Sequence, residues 1–257
     1  MTDSFTFHEG DSPLLVSVPH DGRLLPDDIA SLMSDAGREI PDTDWHVARL
    51  YDFSKELGAS VICANYSRYV VDLNRPADDS SLYEGQTKTG LCPRYSFDGR
   101  ELYTHEVKID IDDRLERYWR PYHDQIGETL SALRKRHGYA LLWDAHSIAS
   151  RMPSLFEGEL PVLNIGTNDG FSCEARRADA VLRVADDSRY SSVINGRFKG
   201  GYITRNYGNP QDDVHAIQLE LAQRAYMDEA SGTYDESAAS QIGDTLRRML
   251  AAFTMRA

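Results

Sequence analysis

Two apolar runs in this chain end in residues able to hold a metal ion or move a proton. "LLVSVPHDG" at 14–22 delivers His20, with Asp21 beside it, and "LLWDAHSIAS" at 141–150 delivers Asp144, His146 and Ser147. In an open α/β sheet, ligands gather where the carboxyl ends of strands empty into loops. Polar residues straight after a buried strand are therefore the first site candidates. Two histidines arriving this way suit a hydrolytic zinc site, which commonly takes two histidines and one carboxylate and keeps a fourth position for water. Water on such an ion loses its proton near neutral pH.

The carboxylate has several claimants. Asp21 adjoins His20, but neighbouring residues in a turn seldom converge on one ion. "PDTDWH" at 41–46 supplies Asp42 and Asp44 at the start of a predicted helix, where either could instead serve as the N-cap. There is no HExxH, GxSxG, Walker or GxGxxG motif, which sets aside thermolysin-type, α/β-hydrolase and nucleotide-binding sites. Ser147 adjoins His146, yet nothing marks it as an activated nucleophile.

Three further stretches combine charge with apolar surroundings. "SRYVVDLNRP" at 67–76 sets Arg68, Asp72, Asn74 and Arg75 around a predicted strand and its exit. A salt-bridged surface strand would explain the charges, but Val70, Val71 and Leu73 make the strand read as buried. Buried arginines need anionic partners, and the planar guanidinium suits a carboxylate. "FKGGYITRNYG" at 198–208 is a double glycine followed by Arg205 and Tyr207, the pattern of a loop folding over a ligand. In "HAIQLEL" at 215–221, Gln218 and Glu220 point the same way if the segment is a strand. Glu220 is the candidate general base.

The elements that must position these residues alternate along the chain. Strands are predicted at 14–19, 59–66, 69–74 and 139–147, "LPVLNIGTNDG" at 160–170 reads as a strand followed by a turn, and "GGYITRNYG" is strand-like. A helix is predicted over 42–58, where Val47, Leu50, Phe53 and Leu57 recur at helical spacing and Gly58 is a stop. Residues 82–102 read as a long loop. Residues 104–137 read as one helix, or two broken at Pro121, and 172–187 and 236–256 as helices. "VHAIQLELAQRAYMD" at 214–228 reads as a strand, then a helix. This alternation predicts an α/β sandwich with helices on both faces of a largely parallel sheet, in one domain over 1–257.

With 257 residues the chain can bury a sizeable core, and its formal net charge of -13 argues against nucleic-acid or anionic-membrane partners. Cys63, Cys92 and Cys173 are odd in number with no CxxC, so a disulfide framework is not expected. "MTDSFTFHEGDSP" lacks the basic and apolar regions of a signal peptide, and no apolar run approaches the ~20 residues of a membrane span. A cytoplasmic protein acting on a small molecule is the expectation.

The segments "SVPHDG", "DTDWHV", "SRYVVDLNRP", "WRPYH", "WDAHS", "IGTNDG", "NGRFKGGYITRNYG" and "HAIQLELAQRAYMDE" run in order between residues 14 and 229. Together they resemble the N-formylglutamate amidohydrolase (N-formylglutamate deformylase) family of histidine degradation. The resemblance implies a zinc-dependent hydrolase that converts N-formyl-L-glutamate and water into L-glutamate and formate. It also implies kinship with the zinc carboxypeptidase fold, a three-layer α/β/α sandwich around a mixed sheet. In that wider fold the first metal histidine opens an HxxE element; here His20 is followed by Asp21, Gly22 and Arg23, and Asp44 is taken as the substitute ligand. His146 matches the later metal histidine and Glu220 the catalytic glutamate. The two carboxylates of the implied substrate would meet Arg68, Asn74, Arg75 and Arg205. The alternatives are an amidohydrolase for another N-acyl or N-formyl amino acid, and a non-catalytic dicarboxylate-binding protein.

Overall fold

A computed structural model describes residues 3–81 and 89–255. Seven strands, β1 (Phe5–His8), β2 (Leu14–Val18), β3 (Ser60–Ala64), β4 (Ala140–Ile148), β5 (Leu163–Gly166), β6 (Ser192–Ile194) and β7 (Val214–Ala222), form one mixed sheet in the order β1-β3-β2-β4-β7-β5-β6. The central strands β3, β2, β4 and β7 are mutually parallel. Strand β1 runs antiparallel to β3, β5 antiparallel to β7, and β6 parallel to β5. A two-stranded ribbon, β8 (Met227–Asp228) with β9 (Thr233–Tyr234), stands apart.

The helices are α1 (Asp27–Ala30), α2 (Asp35–Arg38), α3 (Val47–Leu50), α4 (Ile111–Arg114), α5 (Arg120–His137), α6 (Ala175–Asp186), α7 (Tyr202–Tyr207) and α8 (Glu236–Thr254). Alternate strand residues feed opposite faces of the sheet. On one face Leu14, Val16, Trp143 and Leu219 pack with Val181 of α6 and Ile242, Leu246 and Phe253 of α8. On the other, Leu15, Ile62, Leu142 and Ala216 pack with Tyr122, Ile126, Leu130 and Leu133 of α5. Strand β4 is buried along its whole length, as expected of a strand covered on both faces. Among the described residues no helix is long and apolar enough to cross a membrane.

Several predicted elements take other forms. The helix over 42–58 is interrupted: His46 adopts a left-handed φ of 65°, α3 follows, and Asp52–Leu57 is a 3-10 helix closed by Gly58 at φ 68°. The segment "YVVDLN" is a series of turns, not a strand, because its polar groups bond to side chains and loops: the Asp72 N–H to the Leu91 carbonyl and the Asn74 N–H to the Asp72 carboxylate. "GGYITRNYG" is the helix α7, its first turn fixed by the Ile203 N–H bonding to the Asn74 side chain. After β7 only a 3-10 turn, Gln223–Ala225, precedes β8, so the helix expected there is absent. The predicted helix over 104–137 begins at Ile111 and passes through a π-helical turn, Leu115–Trp119, just before Pro121. Residues 82–88 of the predicted long loop and residue 256 of the predicted last helix lie outside the described residues; 89–102 contains no helix or ladder strand.

Candidate active site

The same alternation that builds the core builds the site. In β4, Leu141, Trp143 and Ala145 enter the core shared with α8, which turns Asp144 and His146 to the face covered by α5. In β7, Ile217, Leu219 and Leu221 enter that core and leave Gln218 and Glu220 on the opposite face. Parallel register then sets Asp144 beside Gln218, His146 beside Glu220, and Ser17 of β2 beside Asp144. His20 follows the end of β2 by two residues. The polar residues therefore converge where β2, β4 and β7 empty, the place expected for a ligand.

One ligand atom from each of His20, Asp44 and His146 lies within 4.8 Å of the others, and all three residues are buried. The outer nitrogens of both histidines are held by buried carboxylates. His20 Nε2 donates to Asp72 Oδ1 at 2.8 Å, and His146 Nε2 lies 3.1 Å from Asp144 Oδ2. Both Nδ1 atoms face Asp44 Oδ2, at 3.8 Å from His20 and 3.0 Å from His146, and each would offer a lone pair to an ion when the ring proton sits on Nε2. His20 Nδ1 is buried and has no hydrogen-bond partner among the described residues. A proton on His146 Nδ1 or a metal ion among the three would balance the Asp44 charge, and His20 Nδ1, which has no donor to meet, leaves room for the ion. A tetrahedral zinc with bonds of about 2.0–2.1 Å would separate its ligand atoms by roughly 3.3 Å, between the two distances found. Histidines backed by carboxylates are the common support of metal ligands. The residues present fit a zinc-like ion.

The electrostatics point the same way. Burial disfavours a charge on His146, but Asp144 and Asp44 outweigh it and lift its pKa well above the usual histidine range. Burial, helped by Arg68, holds His20 below that range. Burial would raise Asp44 too, yet the His146 hydrogen bond and the charges of His20, His146 and Arg68 pull it below the ordinary carboxylate value. Arg68 Nη2 donates to Asp72 Oδ2 at 2.6 Å, and Nη1 lies 3.6 Å from Asp44 Oδ1. Its guanidinium is thus turned toward the acids of the site.

The N-cap alternative for Asp44 is not what the fold uses. Asp44 Oδ2 accepts from the Ser147 N–H at 3.0 Å, while Asp21 reaches across to the start of α3 and accepts from the His46 and Ala48 N–H groups at 3.2 and 2.9 Å. Asp21 is the cap, supplied from a distant segment. Asp42 accepts from the Phe97 N–H and does not join the cluster.

A cavity of about 100 Å³ opens beside the histidines and is lined by Arg68, Asn74, Arg75, Gln218 and Glu220, with Phe97, Ile148, Leu155 and Phe198 as apolar wall. Glu220 is nearly inaccessible, and Gln218 Nε2 donates to its Oε2 at 3.3 Å. Burial lifts its carboxyl pKa to about 8; Asp44 and Asp144 add to the rise, and His146 and Arg68 oppose it. Arg75 donates to its neighbour's carbonyl, that of Asn74, and to Thr89 Oγ1. Asn74 has both ends of its amide engaged: Oδ1 accepts from Ile203 N–H, and Nδ2 lies 3.4 Å from Asp144 Oδ2 and 3.0 Å from His146 Nε2. Arg205, expected at this pocket, donates to the Gly200 carbonyl and is not among the lining residues. Arg197 lines it instead, its Nε donating to the Leu155 carbonyl.

Sequence reasoning assigned no role to Arg197, nor to Asp72 and Asp144 as supports. The two aspartates left a signal: each is a single acid inside a run otherwise apolar. Arg197 left none, because its place at the cavity depends on how the 195–201 loop crosses the sheet end.

Residues 12–227 match the family model described as N-formylglutamate amidohydrolase. The N-formylglutamate deformylase of Pseudomonas putida is 48% identical over 257 residues, covering 98% of this chain and 96% of that protein. The protein of the same name from Pseudomonas aeruginosa is 52% identical over 258 residues, covering 97% and 96%. The crystal structure of N-formylglutamate amidohydrolase from Ralstonia eutropha JMP134 matches with a TM-score of 0.85 at 25% identity over 98% of both chains. The chain belongs to the N-formylglutamate amidohydrolase family.

Proposed function

We propose that this protein hydrolyses N-formyl-L-glutamate to L-glutamate and formate, at a centre where His20, Asp44 and His146 hold one divalent metal ion, zinc by its ligand chemistry. The observation that carries the reading is the full-length similarity, near 50% identity, to proteins named for that activity. The buried, partnerless His20 Nδ1 facing Asp44 and His146 supports the metal. When bound, such an ion polarises an amide carbonyl and acidifies water near neutral pH.

The residues of the chain supply the rest. Glu220, beside His146 on the next strand, in the carboxylate form that a nearby cation would favour, accepts a proton from the attacking water and returns it to the leaving amine nitrogen. Arg75 and Arg197, at the cavity wall, bind the two carboxylates of the substrate, and Arg68 neutralises Asp72 and Asp44 so that a dianion can approach. Phe97, Leu155 and Phe198 cover the methylene chain and exclude water. Asn74 holds the His146 support in place as well as lining the cavity. Kinship with the zinc carboxypeptidase fold, a single catalytic unit over 1–257, a role in histidine degradation and a cytoplasmic setting complete the reading; they rest on the resemblance and on the sequence pattern.

The test is formate release from a panel containing N-formyl-L-glutamate, N-formyl-L-glutamine, N-formyl-L-alanine and N-formyl-L-aspartate. N-formyl-L-glutamate should lead the panel in kcat/KM. If another member leads, the substrate assignment fails; if none is turned over by zinc-loaded protein, the enzyme reading fails with it.

A further inference from the structure

The motif "WRPYH" at 119–123 supplies no ligand atom to the centre, yet it sits directly behind it. We propose that Trp119, Tyr122 and His123 are positioning residues that lock the supports of both metal histidines from one face of the long helix. The proposal rests on the reading of the centre given above.

The segment Asp72–Arg75 touches both histidines. Asp72 Oδ1 accepts from His20 Nε2 and from the Asn74 N–H, and the Asn74 amide lies against His146 Nε2. The segment is a turn, with no strand ladder to fix it. Its carbonyls on either side of Asn74 are instead held from α5 and the π-helical turn before it: the Leu73 carbonyl lies 2.9 Å from His123 Nε2, and the Arg75 carbonyl accepts from Trp119 Nε1 at 2.9 Å. The third residue reaches the other histidine's support. Tyr122 Oη lies 3.1 Å from Ser17 Oγ, which donates to Asp144 Oδ1 at 3.3 Å, while Asp144 Oδ2 backs His146. Positions 119, 122 and 123 share one helix face by their spacing of three and four. The π-helical turn that ends at Trp119 lies against Pro121, which has no N–H to close an ordinary turn.

His123 is built to donate in one direction. A carbonyl can only accept, so Nε2 carries the proton toward Leu73; the Tyr207 hydroxyl donates to the His123 carbonyl at 2.9 Å and lies 3.0 Å from Nδ1. The ring is stacked on Trp119, with centroids 3.8 Å apart, and lies nearly parallel to Tyr207. Burial pushes its pKa down to about 4, so it stays neutral and keeps this donor at physiological pH.

A purely structural reading treats these side chains as core aromatics. Variants that keep the ring and delete the donor separate the two. His123→Phe and Trp119→Phe should each weaken zinc binding, read by competition with a chromogenic chelator, and lower kcat/KM for N-formyl-L-glutamate, both by about ten-fold, the scale of outer-shell losses at metal sites. His123→Gln, whose amide restores a donor toward Leu73, should recover most of both. If His123→Phe does not fold, Trp119→Phe carries the same test. Zinc affinity and kcat/KM at wild-type values in the folded variants, with only the melting temperature lowered, would overturn the proposal. So would a His123→Gln protein no better than His123→Phe. If wild-type protein releases no formate from N-formyl-L-glutamate while the variants still bind zinc more weakly, the substrate reading falls and the positioning role stands.

Discussion

Asp44 is the residue on which the proposed metal centre turns, because both histidines present their Nδ1 atoms to the same carboxylate oxygen. Asp44→Asn should abolish stoichiometric zinc binding, measured by elemental analysis of dialysed protein, with the fold retained; zinc at wild-type occupancy would remove Asp44 from the ligand set. Arg75 is a different kind of residue. Among the described residues its hydrogen bonds go to neutral groups, the Asn74 carbonyl and the Thr89 hydroxyl, and it lines the cavity. Arg75→Lys keeps the charge but loses the guanidinium's paired donors, so KM for N-formyl-L-glutamate should rise by about ten-fold, the worth of one lost charge-assisted hydrogen bond, with zinc content unchanged. Unchanged KM would return Arg75 to a loop-bracing role. The places of these residues, if not their roles, were legible one by one. His20, His146 and Glu220 stand in apolar strands where polar groups need a reason. The glycine-rich setting of Arg205 points to the cavity, whereas its Nε donates to the Gly200 carbonyl and Arg197, from a loop with no local signature, is the arginine that lines the wall.

At the scale of elements, the strands written as apolar runs were readable and the segments held by side chains were not. Strands β2, β4 and β7 follow their hydrophobic pattern, since period two decides which face each residue meets. Residues 69–74 carry a β-branched pattern but spend their hydrogen bonds on Asp72, Leu91 and the α5 aromatics, contacts from distant parts of the chain. The same holds for the helix start near Asp44, capped by Asp21 from a separate loop. Asp21→Ala should therefore cost stability of about 1 kcal/mol or more, the worth of an N-cap, and leave the ligand set intact, the reverse of Asp44→Asn. Loss of zinc with unchanged stability would exchange the two roles. Helix α5 gives a pH prediction. His123 has a folded pKa near 4 against an ordinary 6.5, so the folded state resists its protonation. Stability from this group is complete above pH 6.5 and falls as pH drops toward 4. The stability advantage of wild type over His123→Gln, from urea unfolding, should thus shrink between pH 7 and pH 5. An advantage that is constant or grows on acidification would contradict it.

For the whole molecule, the alternation of apolar strands and amphipathic helices was enough to indicate an α/β sandwich, but not the directions of the outer strands. That β1 and β5 run antiparallel to their inner neighbours depends on how 9–13 and 167–213 travel, which no local pattern records. The net charge of -13 also gave no hint of the site, where Arg68, Arg75 and Arg197 surround one cavity. The central claim is that this cavity, with a metal on His20, Asp44 and His146, deformylates N-formyl-L-glutamate. The direct measurement is the initial rate of formate release from N-formyl-L-glutamate by chelator-stripped protein, before and after one equivalent of zinc. The account predicts a negligible rate before addition and a rate restored to that of untreated enzyme after it. A full rate in the stripped protein, or no formate from the zinc-loaded protein, would contradict it.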